Sequence, residues 1–165
     1  MEGFKKIGKI ILNIITVIVI IAIIFAVYNF VQLKCFNKKY ANFFGYTILE
    51  VSTVSMAETI NIYDIIVVKL TKDVNVNDII TFEQDDVLIT HRIIEMKENE
   101  IITKGDANNT KDRSIKNRDI IGKVVFIGRR LGIWIKVIAE PKVFISMLIT
   151  IVLITKVFSK ENKWY

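Results

Sequence analysis

One serine, the single histidine of the chain and two aspartates carry the chemistry that this sequence offers. Ser55 lies beside Met56 in the stretch VSTVSMAETINIYDIIVVKL, residues 51–70, and His91 lies in a β-branched run. Asp106 and Asp112 follow in the polar loop TKGDANNTKDRS, residues 103–114. A hydroxyl nucleophile, an imidazole to take its proton and a carboxylate to orient the imidazole are what acyl transfer needs. Taken singly, each has a plainer reading. Most serines are solvated, a histidine in a strand is commonly structural, and loop aspartates cap nearby backbone groups. On the residues alone either aspartate suits the orienting part. Their occurrence together, in order, beside a long apolar run, points to a catalytic unit held at a membrane.

The elements that must position this trio are legible in the pattern around it. The chain has 165 residues, 52% of them hydrophobic, and a mean hydropathy of +0.43, which is high for a soluble domain. Residues 1–9 form a short basic tail with Lys5, Lys6 and Lys9. Residues 10–33 are almost wholly apolar, long enough at 1.5 Å per residue to cross a hydrocarbon core of about 30 Å. That run exceeds the apolar part of a cleaved secretory signal, so it predicts a retained transmembrane anchor. Short β-branched runs follow at 46–51, 65–70, 79–82, 87–94, 101–103 and 120–127, separated by Asp, Asn, Lys or Gly. Their number and spacing predict a mainly β unit over 40–132, a small barrel or sandwich without βαβ units. Residues 133–142, with Trp134 among aliphatics, suit a membrane-interface segment. Residues 143–158 form a second apolar run, read as a second transmembrane helix, and residues 159–165 form an interfacial tail.

Composition narrows the chemistry further. A single cysteine, Cys35, excludes an intramolecular disulfide, and one histidine argues against a structural zinc site. Neither a metal nor a cofactor is expected. The net charge of +6 suits anionic lipid headgroups. Nucleic acid is not an expected partner, because acids and bases are interspersed through the β region without a basic and aromatic stripe.

The stretch 47–132 resembles the type I signal peptidases of the endoplasmic-reticulum type, a group with archaeal and spore-forming bacterial branches. Ser55-Met56 matches the nucleophile box, Asp64 falls where a Gly-Asp pair ends, and His91-Arg92 matches the histidine box. Lys104-Gly105-Asp106-Ala107-Asn108, then Asp112-Arg113, match the third and most specific box. The first box departs from the pattern: Val54 and Tyr63 replace glycines, Ala57 replaces a glutamate, and Glu58 replaces a proline. The resemblance implies a β-barrel-like catalytic domain on the extracytoplasmic side of a cell membrane, held by N- and C-terminal membrane helices. It implies Ser55 as nucleophile and His91 as general base, in the place where bacterial housekeeping enzymes use lysine. Asp112 would orient His91, with Asp106 as the alternative or as a loop-holding carboxylate. The Ser55 N–H and the Thr53 hydroxyl would form the oxyanion hole. The implied substrates are secretory preproteins with small residues before the cut. The rival expectation is an inactive membrane-anchored β domain that binds partner proteins.

Overall fold

The computed structural model describes residues 2–98 and 100–160. They form two compact units, one of Asn37–Ile135 and the other of the flanking segments up to Phe36 and from Lys136. In the flanking unit, α1 (Glu2–Phe30) continues into a π-helical turn, Val31–Cys35. The basic residues expected as a separate tail are the first turns of this helix. Within Lys6–Cys35 an 18-residue window has a mean hydropathy of 3.3 and none of that window is buried, so the helix is long and apolar enough to cross a membrane. At the other end lie α2 (Leu131–Ala139) and α3 (Pro141–Lys160), with Pro141 at the first helical position, where its missing N–H costs nothing. The described apolar part of α3 runs over Pro141–Leu153. One helix able to cross, not the expected two, is therefore present among the described residues. The expected tail lies outside the described residues from position 161 onward.

The central unit is a sheet of six strands: β1 (Tyr46–Glu50), β2 (Ile65–Lys69), β3 (Ile79–Gln84), β4 (Val87–Met96), β5 (Ile101–Lys104) and β6 (Ile120–Gly128). Each β-branched run of the sequence forms its strand, because branched side chains pack well on a pleated surface. Asp85 and Asp86 take positive φ of 49° and 65°, the two-residue hairpin turn whose twist suits the flanking strands. The strand order is β1-β2-β6-β3-β4-β5, with antiparallel pairing throughout. The sheet is open, with β1 and β5 as its edges, and this corrects the expected barrel. Closure depends on tilt and register between the terminal strands, which strand count and spacing do not specify. Register shifts in the β2–β6, β3–β6 and β4–β5 pairings bend the sheet without closing it. Two separate apolar clusters result. Ile80, Phe82, Ile93, Ile101, Ile115 and Ile120 with Val74 form one, and Met56, Ile60, Ile66 and Val68 form the other.

The connection between β1 and β2 carries Ser55 and is held by buried polar contacts. Asp64 is 1% exposed and accepts N–H bonds from Asn61 at 2.9 Å and from Arg130 at 2.8 Å. It ties the start of β2 to the start of α2. Tyr63, which stands where the resemblance expects glycine, has φ 68° and is 42% exposed. Its carbonyl accepts the Gly132 N–H at 2.9 Å, and a Cβ at Gly132 would sit 2.7 Å from that oxygen. Left-handed backbone costs a side-chain-bearing residue about 1–2 kcal/mol, of which glycine returns part through its freer unfolded chain. Tyr63→Gly is therefore expected to stabilise the protein by about 0.5–1 kcal/mol. Denaturant titration in detergent measures this, and a loss of stability would show that the tyrosine ring contributes more than the strain removes.

Candidate active site

His91 lies on β4 opposite Ile80 of β3, 7% exposed, with the ring of Phe82 edge-on at a centroid distance of 6.3 Å. Its Nδ1 is 2.5 Å from Asp112 Oδ2. A carboxylate only accepts, so Nδ1 carries the proton, and in the neutral imidazole Nε2 presents its lone pair. Asp112 is itself held from two directions. The Thr103 hydroxyl donates to Oδ2 at 2.8 Å, and the Asp112 N–H donates to the Thr103 carbonyl at 2.9 Å. Thr103 is fully buried on β5. This hydroxyl did not enter the sequence reading. Its signal is the strand period: Ile101 and Thr103 both face inward, and a hydroxyl at an inward strand position needs a partner.

Ser55 is half-buried in the turn after β1, where the Ala57 N–H bonds to Val54 O at 2.9 Å and the Ile60 N–H to Met56 O at 2.8 Å. Its Oγ is 3.2 Å from Thr53 Oγ1. The Ser55 backbone N–H makes none of the described hydrogen bonds and is free to meet a ligand oxygen. Ser55, Thr53 and His91 line one cleft of about 490 Å³, whose remaining wall is mainly aliphatic, with Leu49, Val51, Ile60, Leu88 and Ile89. No hydrogen bond joins Ser55 to His91, which is common before a substrate closes the site. A larger cavity of about 650 Å³ is lined by Tyr40, Lys72, Glu83 and Arg118 among others. None of the trio is on its walls; Ser55 and His91 line the smaller cleft.

The two aspartates have different surroundings. Asp106 does not touch His91. It accepts a two-pronged ion pair from Arg92, Nε to Oδ1 at 2.9 Å and Nη2 to Oδ2 at 2.7 Å, and the Thr59 hydroxyl at 2.6 Å. Those hydrogen bonds, with Arg92 the largest contributor, hold its carboxyl below the usual carboxylate range against the opposing effect of burial. A group depressed in the folded state gives stability that is complete above its unfolded value, near pH 4. That stability is lost as pH falls through the lower folded value. Asp106→Asn is thus expected to lower Tm at pH 7 by about 5–10 °C. The gap to the wild type should narrow as pH approaches 3. A gap that is constant between pH 7 and 3 would remove Asp106 ionisation as its cause.

The arrangement brings together a hydroxyl, a base with an oriented free nitrogen, and an unengaged N–H beside a second hydroxyl, all on one apolar cleft. These are the parts of a serine acyl-transfer site. A family model described as Peptidase S24-like matches residues 25–125, a stretch that contains Thr53, Ser55, His91, Asp106 and Asp112. Comparison with curated proteins finds no match.

Proposed function

The chain belongs to the Peptidase S24-like family, and on that premise we propose that it is a membrane-anchored serine endopeptidase that removes signal peptides from secretory preproteins. The observation that carries the reading is the His91–Asp112 pair, whose imidazole lines the same cleft as Ser55. In the proposed reaction Ser55 Oγ attacks the scissile carbonyl carbon while His91 Nε2 takes the hydroxyl proton. The Ser55 N–H and the Thr53 hydroxyl stabilise the oxyanion. The tetrahedral intermediate collapses to an acyl-enzyme, and His91 returns the proton to the departing amine. Water then enters by the same route and releases the acyl group.

The signal-peptide assignment is the finer part of the proposal. It is supported by the matching third box, Lys104 to Asn108 with Asp112-Arg113, and by the aliphatic lining of the cleft. An extended peptide has an edge strand, β1, beside that cleft on which to pair. The apolar helix over Lys6–Cys35 supports a membrane anchor. We further propose a cell-membrane protein whose catalytic unit lies outside, with α3 returning to the inner side. A tag at either terminus is then protected while position 108 is reached by external protease. A C-terminal tag accessible together with position 108 removes the second crossing.

The function itself is tested by incubating the detergent-solubilised chain with a preprotein bearing small residues before its cleavage site. A product of the mature length that disappears in Ser55→Ala supports the peptidase reading. Processing that is equal in the two proteins, or absent from both, favours a binding domain without catalysis.

A further inference from the structure

Between Val51 and Asp64 the chain has no glycine and no proline, although the turn there carries the nucleophile and two left-handed residues, Glu58 at φ 74° and Tyr63 at φ 68°. The residues that ordinarily fix such backbone are missing. The turn is instead held from outside by the loop after β5. The Ala107 N–H donates to Ser55 O at 2.9 Å, and the Asp106 N–H to Met56 Sδ at 3.3 Å. A Cβ at Gly105 would lie 2.5 Å from Ser55 O, so only glycine lets the loop approach so closely. Asp106 closes the arrangement. One end of its carboxylate takes the Thr59 hydroxyl, four residues past the nucleophile, and both oxygens take Arg92, the residue after the base. Arg92 is braced in turn by Nη1 on Asn77 O at 3.0 Å.

We propose that Thr59 and Arg92 are positioning residues that act through Asp106, holding the Ser55 turn at a set distance from the strand that carries His91. Neither touches a reacting atom. The inference rests on the peptidase reading and adds to it what fixes the nucleophile relative to the base. Because Ser55 and His91 share no hydrogen bond, their separation is set by what holds the turn and the strand, and the Thr59–Asp106–Arg92 chain links the two through side chains, beside the Ala107 N–H bond to Ser55 O. A displacement of about 1 Å at a reacting atom costs up to 10²-fold in rate.

The test compares Thr59→Val, which keeps the shape and removes the hydroxyl, with Thr59→Ser, which keeps the hydroxyl. Three readouts are taken for each in the same detergent: kcat and KM on the preprotein, Tm, and hydrogen exchange at the Ala107 amide. Thr59→Val is expected to lower kcat about 10–100-fold with KM within about twofold, and to speed exchange at Ala107. Thr59→Ser is expected to restore kcat to within about threefold of wild type. Arg92→Lys should resemble Thr59→Val, because an ammonium cannot reproduce the two-pronged pair. Unchanged kcat in Thr59→Val, or a Thr59→Ser variant as slow as Thr59→Val, overturns the proposal. So does unchanged exchange at Ala107. A wild type with no Ser55-dependent cleavage defeats the peptidase reading instead, and the exchange measurement still decides whether the clamp holds the turn.

Discussion

Ser55→Ala and His91→Ala are each expected to lower kcat by about 10⁴–10⁶, and the double variant to be no slower than either single one. The expectation follows from the division of labour in the cleft. A serine hydroxyl is a weak nucleophile until a base removes its proton as it attacks, so losing the base removes the nucleophile as well. The two losses describe one step and do not add. What survives comes from binding and from the oxyanion donors, here the free Ser55 N–H and the Thr53 hydroxyl. Ser55→Ala keeps the backbone N–H and His91→Ala keeps both donors, so Thr53→Val in either background should lower the residue of activity further. The measurement is single-turnover cleavage of a preprotein by the wild type, the two single variants, the double variant and the two Thr53→Val combinations, with Tm recorded for each. His91 packs against Phe82, so His91→Ala also opens a small void, and the comparison is made well below the lowest Tm. A double variant slower than the singles by the product of their effects would separate Ser55 and His91 into different steps.

The strands were legible because β-branched runs and polar turns alternate along 46–128, and each run became one strand of the sheet. The sheet's openness was not. It depends on β1 and β5 remaining unpaired with each other, a relation between residues more than fifty positions apart. The second membrane helix is not shown: the described apolar part of α3 runs over Pro141–Leu153, and the remainder of the 143–158 run lies outside the side chains described. In the site, the box Lys104 to Asn108 and Asp112 stood out by residue type, and Gly105 has a specific geometric reason in its approach to Ser55 O. Thr59 and Thr103 escaped notice, and Arg92 stood out only as part of the histidine box, because a threonine or arginine gains its meaning from a partner distant in sequence. Thr59 and Asp106 are 47 positions apart, and no local pattern connects them. The altered residues of the nucleophile box are explained in part by the backbone. Tyr63 keeps a positive φ where glycine would adopt it easily, and Glu58 takes φ 74°, which the proline of the family pattern could not adopt.

The surroundings of the two aspartates lead to the second large effect. Asp112→Asn is expected to lower turnover by about 10⁴ while leaving the fold intact, the loss that an orienting carboxylate incurs in serine peptidases generally. Two causes combine. The carboxylate holds Nδ1 protonated, which leaves Nε2 as the acceptor for the serine proton in the proposed reaction; an amide that turns its NH2 toward Nδ1 selects the opposite tautomer. An amide also carries no charge to stabilise the imidazolium that forms as the serine proton moves. The backbone bond from Asp112 N–H to Thr103 O is unaffected, and the Thr103 hydroxyl, which meets the same oxygen position as His91 Nδ1, can accept from the amide NH2. Stability should therefore change little. Asp106→Asn is expected to show the opposite balance, because its partners are Arg92 and Thr59 and not the imidazole. It should lose Tm at neutral pH and lose rate by a smaller factor. Thr103→Val provides the intermediate case. It removes one of the two bonds that orient Asp112, so a reduction of about 10-fold is expected, with the carboxylate charge still in place. Turnover and Tm of the three variants, measured in one detergent, decide the assignment. Activity retained by Asp112→Asn and abolished by Asp106→Asn at unchanged Tm would transfer the orienting role to Asp106, against the 2.5 Å contact between His91 Nδ1 and Asp112.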